Sequence, residues 1–118
     1  MPVAKTHLRS GRSVYEKRGI GEAVQAALLD VAEIPKSAVF QAFAEYSETD
    51  FGHNTDLSDQ FLLIEIAFTE GEVRDDETKK ALLQAINANL VAKKLVTADD
   101  VFVVITEVPR ANMGTGAG

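Results

Sequence analysis

The strongest fold signal is the segment 101–107, Val-Phe-Val-Val-Ile-Thr-Glu, a β-branched run that is typical of a buried strand. Phe102 and Glu107 of this segment have counterparts at Phe40 and Glu45, each 62 positions earlier. The same offset relates two lysines, at positions 17 and 79. A single offset shared by three residue pairs indicates that the chain is a tandem repeat of one structural unit.

Each unit reads as strand, helix, strand. In the first, apolar residues at three- and four-residue steps predict a helix that begins at a capping box, Ser13-x-x-Glu16, and continues until Pro35 stops it. Gly19-Ile20-Gly21 lies inside this pattern, which indicates close helix packing. The predicted strands cover residues 2–8, 38–46, 61–68 and 101–108. The first β-α-β unit is assigned to residues 2–46, the connection to 47–59, the second unit to 60–108 and a C-terminal hairpin segment to 109–118.

The expected fold is a single α+β domain (an α/β sandwich) over residues 1–118. Each β-α-β crossover makes a parallel strand pair, and two units can share a four-stranded mixed sheet with both helices on one face. The opposite sheet face is then uncovered, and Leu63, Glu65 and Ala67 alternate onto it from the strand that buries Ile64 and Ile66. An uncovered, half-apolar face in so small a domain predicts self-association.

Composition excludes several classes of function. The formal charge of −6 and the absence of a basic cluster argue against nucleic-acid binding. With no cysteine there is no disulfide, thiolate nucleophile or Cys-ligated metal. No apolar run reaches the length of a membrane-spanning helix, so the expectation is a cytoplasmic protein without a membrane partner. His7 and His53 are too few and too separated to specify a metal site, and no metal or other cofactor is expected.

The two ends of the chain resemble a known enzyme family. Residues 2–13, Pro-Val-Ala-Lys-Thr-His-Leu-Arg-Ser-Gly-Arg-Ser, resemble the start of the 4-oxalocrotonate tautomerases, and residues 101–107 followed by Asn-Met-Gly-Thr-Gly at 112–116 resemble their last strand and closing hairpin. The doubled length and the spacing through Ile34-Pro35 are similar to the tandem members related to malonate semialdehyde decarboxylase. The resemblance implies a tautomerase/MIF-like fold and a homo-oligomer, typically a trimer.

The resemblance also implies the chemistry. Pro2 would be the catalytic residue, since removal of Met1 would expose a secondary amine that can act as a base when neutral. Arg12 occupies the family's substrate-binding arginine position, and its planar fork suits a carboxylate. Met113 stands where the family often carries an aromatic residue that lines the pocket. The expected activity is cofactor-independent keto–enol proton transfer on a small 2-oxo acid.

Some positions depart from the family patterns. The second arginine of the short tautomerases, which helps to bind the anionic substrate, aligns with Phe40 and Phe102. This chain therefore lacks that arginine. The aspartate and arginine pair of the decarboxylase-like members align with Ala38, Glu72 and Arg74. Arg74 would then be the second cation for the substrate. These departures favour tautomerase over decarboxylase.

Four alternatives stay open from the sequence. Decarboxylase-like or hydratase activity is one, a non-catalytic oligomeric binding module is the second, and a ferredoxin-like regulatory domain is the third. In the fourth, Met1 is retained, which leaves Pro2 as an amide without a basic lone pair.

Single residues also have alternative interpretations. Arg12 could be a solvated turn residue, and His7 a packed or surface histidine without a role. His53 and Asn54, in the long connection, could overhang the pocket.

Overall fold

The computed structural model describes residues 1–52 and 56–116. The chain forms β1 (Val3–Arg9), α1 (Val14–Ala32), β2 (Phe40–Tyr46), β3 (Leu62–Thr69), α2 (Asp76–Ala92) and β4 (Val101–Val108), with short 3-10 helices at Lys36–Ala38 and Arg110–Asn112. This order confirms the predicted tandem β-α-β repeat. Among the described residues, neither helix combines the length and the apolar character needed to cross a membrane.

The four strands form one mixed sheet in the order β2-β1-β3-β4. β1 runs parallel to β2 and β3 runs parallel to β4, as two β-α-β crossovers require, while β1 and β3 are antiparallel and join the two repeats. Each crossover pairs its two strands directly, without the inserted strand of a split β-α-β unit, so the ferredoxin-like alternative is wrong.

The predicted capping box is present in α1. The Ser13 side chain accepts a hydrogen bond from the Glu16 backbone N–H, and the Glu16 side chain accepts one from Ser13 N–H. The helix ends at Ala32, however, three residues before the predicted stop at Pro35. Glu33 adopts a left-handed conformation (φ 57°), and the N–H of Ile34 turns back to the Leu28 carbonyl at 3.1 Å. This turn closes the helix, as left-handed C-terminal caps do.

β1 and β3 are each shifted by one residue from the predicted ranges, and two further regions differ more from the prediction. Ala38 belongs to the 3-10 helix Lys36–Ala38, so β2 begins two residues later than the predicted strand, at Phe40. At the C-terminus, the predicted hairpin is replaced over 109–116 by a 3-10 helix at Arg110–Asn112, with no strand in that range. Pro109 follows β4 directly and has no N–H to continue a ladder.

Both helices cover one face of the sheet. Alternate side chains of the central strands point toward the helices and pack against the apolar faces of α1 and α2. The buried apolar residues include Ala4, Leu8, Ile20, Val24, Leu28, Leu62, Ile64, Ile66, Phe68, Leu82, Ile86 and Leu90. Burial of this kind is the main favourable term in folding, at about 25 cal/mol per Å² of apolar surface.

The other sheet face is uncovered in the single chain, as predicted. Leu63, Glu65 and Ala67 point to this face, whereas their neighbours along β3 are buried under the helices. Phe40 and Phe102, equivalent residues of the two repeats, are 57% and 58% exposed. We call this surface the open sheet face.

The repeat also extends to ion pairs. Lys17 on α1 contacts Glu45 on β2, and Lys79 on α2 contacts Glu107 on β4. The two lysines are 62 positions apart in the sequence, and so are the two glutamates. In both units, therefore, the helix start is tied to the end of its own second strand.

Candidate active site

Pro2 lies at the start of β1, between the beginning of β2 and the end of β3. Its carbonyl accepts a hydrogen bond from the Phe40 N–H at 3.0 Å. The next residue, Val3, pairs with Phe40 on one side and with Ala67 on the other. Pro2 is buried. The sheet therefore holds this residue firmly in one place.

A cavity of about 430 Å³ opens beside the chain start. Its walls are apolar side chains with a few hydroxyl and amide groups: Met1, Val3, Thr69, Asn112, Met113, Gly114 and Thr115. The Thr69 hydroxyl donates to the Met113 Sδ at 3.6 Å, which ties the C-terminal segment to the end of β3. The structure thus brings Met113 to the Pro2 end of the sheet.

The turn between β3 and α2 also lies at this end. Glu72 Oε1 accepts a hydrogen bond from the Thr69 N–H at 2.7 Å, and Glu72 Oε2 lies 3.5 Å from the amino group of Met1. Arg74 follows on the same turn, exposed, with its Nε donating to the Gly71 carbonyl at 3.4 Å. The turn that carries Arg74 is therefore folded toward the chain start.

Arg12 lies at the opposite end of β1. Seven residues of strand separate it from Pro2, which corresponds to about 23 Å at 3.3 Å per residue. Its Nη2 donates to the carbonyls of Gln60 and Leu95, each at 2.9 Å, and its Nη1 contacts Glu16 at 3.2 Å. Within one chain, Arg12 and Pro2 are therefore not in the same site. The solvated-turn interpretation does not fit either, because the side chain is only 9% exposed.

Asp100 lies near Arg12, at the turn that leads into β4. Burial by itself raises the pKa of this carboxyl group, but hydrogen bonds from Ser58 and Thr97 and the charge of Arg12 outweigh burial, and the pKa is lower than usual. Asp100 also accepts the Leu62 N–H at its backbone carbonyl, at 2.7 Å. This cluster stabilises the sheet end that is remote from Pro2.

His7 belongs to the open sheet face and is 9% exposed. Its Nδ1 lies 2.5 Å from the Tyr46 hydroxyl and its Nε2 lies 2.8 Å from Glu65 Oε2. The Tyr46 ring stacks in turn on Phe51. This histidine is packed, as one of its two sequence interpretations predicts. His53 and Asn54, which were considered as residues over the pocket, lie outside the described residues.

The structure brings three sequence-predicted features together at one sheet end: Pro2, the turn of Arg74, and Met113. It also places Glu72 there, which the sequence marked only as a position without the expected arginine. The antiparallel pairing of β1 with β3 explains this placement, since the end of β3 must lie beside the start of β1. Within the ranges 1–52 and 56–116, no three His, Asp or Glu side chains converge as ligands for a metal ion.

Comparison with known proteins identifies the family. The family model described as "Tautomerase enzyme" matches residues 38–116, about two-thirds of the chain. The chain belongs to the tautomerase family. The matched range contains Arg74 and Met113 and begins after Pro2 and Arg12.

Relatives of this tautomerase-family chain cover nearly all of it. "Probable tautomerase YusQ" of Bacillus subtilis (strain 168) is 28% identical over 110 residues, 89% of this chain and 85% of YusQ. The FG41 malonate semialdehyde decarboxylase inhibited by 3-bromopropiolate is 30% identical, with a TM-score of 0.81 over 97% of this chain and 88% of that one. The F6 fused 4-OT, an asymmetric trimer, has a TM-score of 0.84 at 22% identity, over 98% and 94%. The fold of these proteins is therefore shared over 97–98% of this chain.

Proposed function

We propose that this protein is a cofactor-independent cytoplasmic tautomerase that transfers a proton between the enol and keto forms of a small 2-oxo acid. Pro2, exposed as a secondary amine after removal of Met1, is the base. The observation that carries the proposal is the position of Pro2: it is buried at the start of a central strand, between Met1 and Val3, which both line a cavity of about 430 Å³ with Met113 in its wall.

The proton transfer needs no redox step or added reactant. In the enol-to-keto direction, the neutral Pro2 nitrogen takes the enol hydroxyl proton, and the O–H electron pair becomes part of the carbonyl double bond. The electrons of the former C=C bond then take a proton at carbon from the Pro2 ammonium. Both protons pass through one nitrogen, so the base is restored after each turnover.

Arg74 is the residue of this chain proposed to bind the substrate carboxylate. It lies on the turn folded toward the chain start, and among the described residues its guanidinium makes one long hydrogen bond, at 3.4 Å, which leaves other N–H donors for a ligand. Met113 would contact the apolar part of the substrate. The positive charge of Arg74 and the apolar side chain of Met113 together suit a small carboxylate substrate with a short carbon chain.

Arg12 requires a second copy of the chain to reach a substrate. The open sheet face, with Phe40 and Phe102 more than half exposed, supports self-association of the chain. A trimer is proposed by likeness to the F6 fused 4-OT. Arg12 of one copy would then contribute to the site around Pro2 of another, while its two carbonyl contacts keep the guanidinium in place.

Decarboxylation or hydration is the second candidate, favoured by the 30% identity to the FG41 malonate semialdehyde decarboxylase. Against it, Ala38 stands where that group's aspartate would be, and its methyl group has no proton to transfer. We therefore keep tautomerisation as the principal proposal and include malonate semialdehyde in the test.

The test compares two forms of the full chain. The first is processed protein, with loss of Met1 verified by intact mass; the second carries a Gly-Ser extension before Pro2, which turns the amine into an amide. Both are assayed for ketonisation of phenylenolpyruvate and 2-hydroxymuconate, and for CO₂ release from malonate semialdehyde.

Activity on an enol that is lost in the extended form supports the proposal. CO₂ release without ketonisation would replace it with the decarboxylase candidate. An inactive processed protein that forms the same oligomer as the extended one would indicate the non-catalytic binding module instead.

A further inference from the structure

The Glu72 carboxylate is held in a fixed position beside the chain start. Its Oε1 accepts the Thr69 N–H at 2.7 Å, and the Glu72 N–H donates to the Thr69 carbonyl at 3.1 Å, so the turn fixes the side chain from both ends. The other oxygen, Oε2, lies 3.5 Å from the amino group of Met1, and the side chain is only 26% exposed. This is an ion pair between the β3–α2 turn and the N-terminal amine.

Removal of Met1 would change the partner of this carboxylate. The Pro2 nitrogen is the next nitrogen along the backbone, about 3–3.5 Å from the Met1 nitrogen with standard bond lengths. It therefore lies within roughly 7 Å of Glu72 Oε2 without any movement of the chain. At that range, an anion that is largely shielded from water favours the protonated form of an amine.

Other features near Pro2 favour either the neutral or the protonated form of its amine. Burial of Pro2 favours the neutral amine. The segments next to it carry further charged side chains, which are Lys5 on β1, Lys36 before β2, Glu70 and Arg74 around the β3–α2 turn, and Arg110 after β4. Glu72 differs from these in its contact with the Met1 amino group, which lies one residue before Pro2.

We propose that Glu72 is a positioning residue for Pro2: its carboxylate pairs with the processed amine, orients it toward the cavity, and sets the pH above which the amine becomes a neutral base. The inference rests on the proposed function of Pro2 and adds a regulating partner to it. Its consequence is that base catalysis by this chain needs a higher pH than the burial of Pro2 alone would require.

The experiment uses processed full-length Glu72→Gln, which keeps the size of the side chain and removes its charge. Glu70→Gln is the matched control, since Glu70 is exposed on the same turn and carries the same charge. The readout is the acid limb of the pH profile of kcat/KM for enol ketonisation. In Glu72→Gln the limb is expected about one pH unit lower, with roughly tenfold higher activity below it. The limb of Glu70→Gln stays at the wild-type position.

A measurement without substrate separates this inference from the proposed function. NMR titration of ¹⁵N-labelled Pro2 in the processed protein reports protonation of the amine directly, even if the protein has no activity on the enols chosen. Glu72→Gln should titrate about one unit below wild type, and Glu72→Asp should return toward wild type. A Pro2 titration that is the same in wild type and Glu72→Gln would overturn the inference and leave Pro2 catalysis intact.

Discussion

The Arg12 guanidinium donates from Nη2 to the Leu95 carbonyl at 2.9 Å, a contact between residues 83 positions apart. Arg12 follows the first strand of repeat one, whereas Leu95 follows the helix of repeat two. The same Nη2 reaches the Gln60 carbonyl. One buried arginine thus satisfies two backbone carbonyls and joins the two halves of the fold at the end remote from Pro2.

Replacement of Arg12 by Ala should therefore destabilise the protein itself. The expected loss in the free energy of unfolding is about 2–3 kcal/mol, because two carbonyls and the Glu16 carboxylate lose a charged donor. Urea denaturation at pH 7 measures it. Arg18→Ala is the control, since Arg18 is exposed on α1 and stacks near the Tyr15 ring. Equal stability of the two variants would contradict a structural role for Arg12. An activity loss larger than the unfolded fraction explains would support its proposed contact with substrate.

Asp100 should make stability depend on pH in the acid range. Its folded-state pKa is below the ordinary value, so the ionised carboxylate stabilises the fold above about pH 3.9, and this contribution is lost as pH falls through the folded-state pKa. Asp100→Asn should cost about 1–3 kcal/mol at pH 6, and the difference from wild type should shrink below pH 4. Urea unfolding at pH 6, 4 and 3 checks this, with the exposed neighbour Asp99→Asn as control. A difference that is constant over this range would contradict the assignment.

Gly21 should tolerate a methyl group. It lies within α1, and a Cβ there would be 3.5 Å from Gln41 Nε2, an ordinary contact. Gly21→Ala should therefore raise stability by about 0.5–1 kcal/mol through helix propensity. At Gly19 the new Cβ would lie 3.2 Å from Leu95 Cδ1, so Gly19→Ala should gain less. Thermal unfolding compares the two variants. A lower Tm for Gly21→Ala than for wild type would show that the helix needs closer approach there than this geometry indicates.

The elements that could be predicted from sequence are those with local signals. The capping box at Ser13 and Glu16 depends on residues three apart, and the alternation along β3 depends on neighbours two apart. The repeat offset matches Lys17 with Lys79 and Glu45 with Glu107, and the structure shows the same ion pair in each repeat. Such patterns predict the helices, the strands and the layout of the sheet.

The site could be predicted only in part, because its walls come from distant segments. Glu72 lies beside the chain start through the antiparallel pairing of β1 with β3, a contact that no local pattern reports. The burial of Arg12 depends in the same way on a carbonyl 83 residues away. The boundary at Ala38 was missed for another reason: a single 3-10 turn after Pro35 has no hydrophobic periodicity of its own.

The central proposal is that the Pro2 amine is the catalytic base. Wild type and Pro2→Ala, both with Met1 removed as verified by intact mass and with matching circular dichroism, are compared in kcat/KM for enol ketonisation. We expect a loss of about 100-fold or more in Pro2→Ala, the usual contribution of a positioned general base. A Pro2→Ala protein as active as the processed wild type would contradict it.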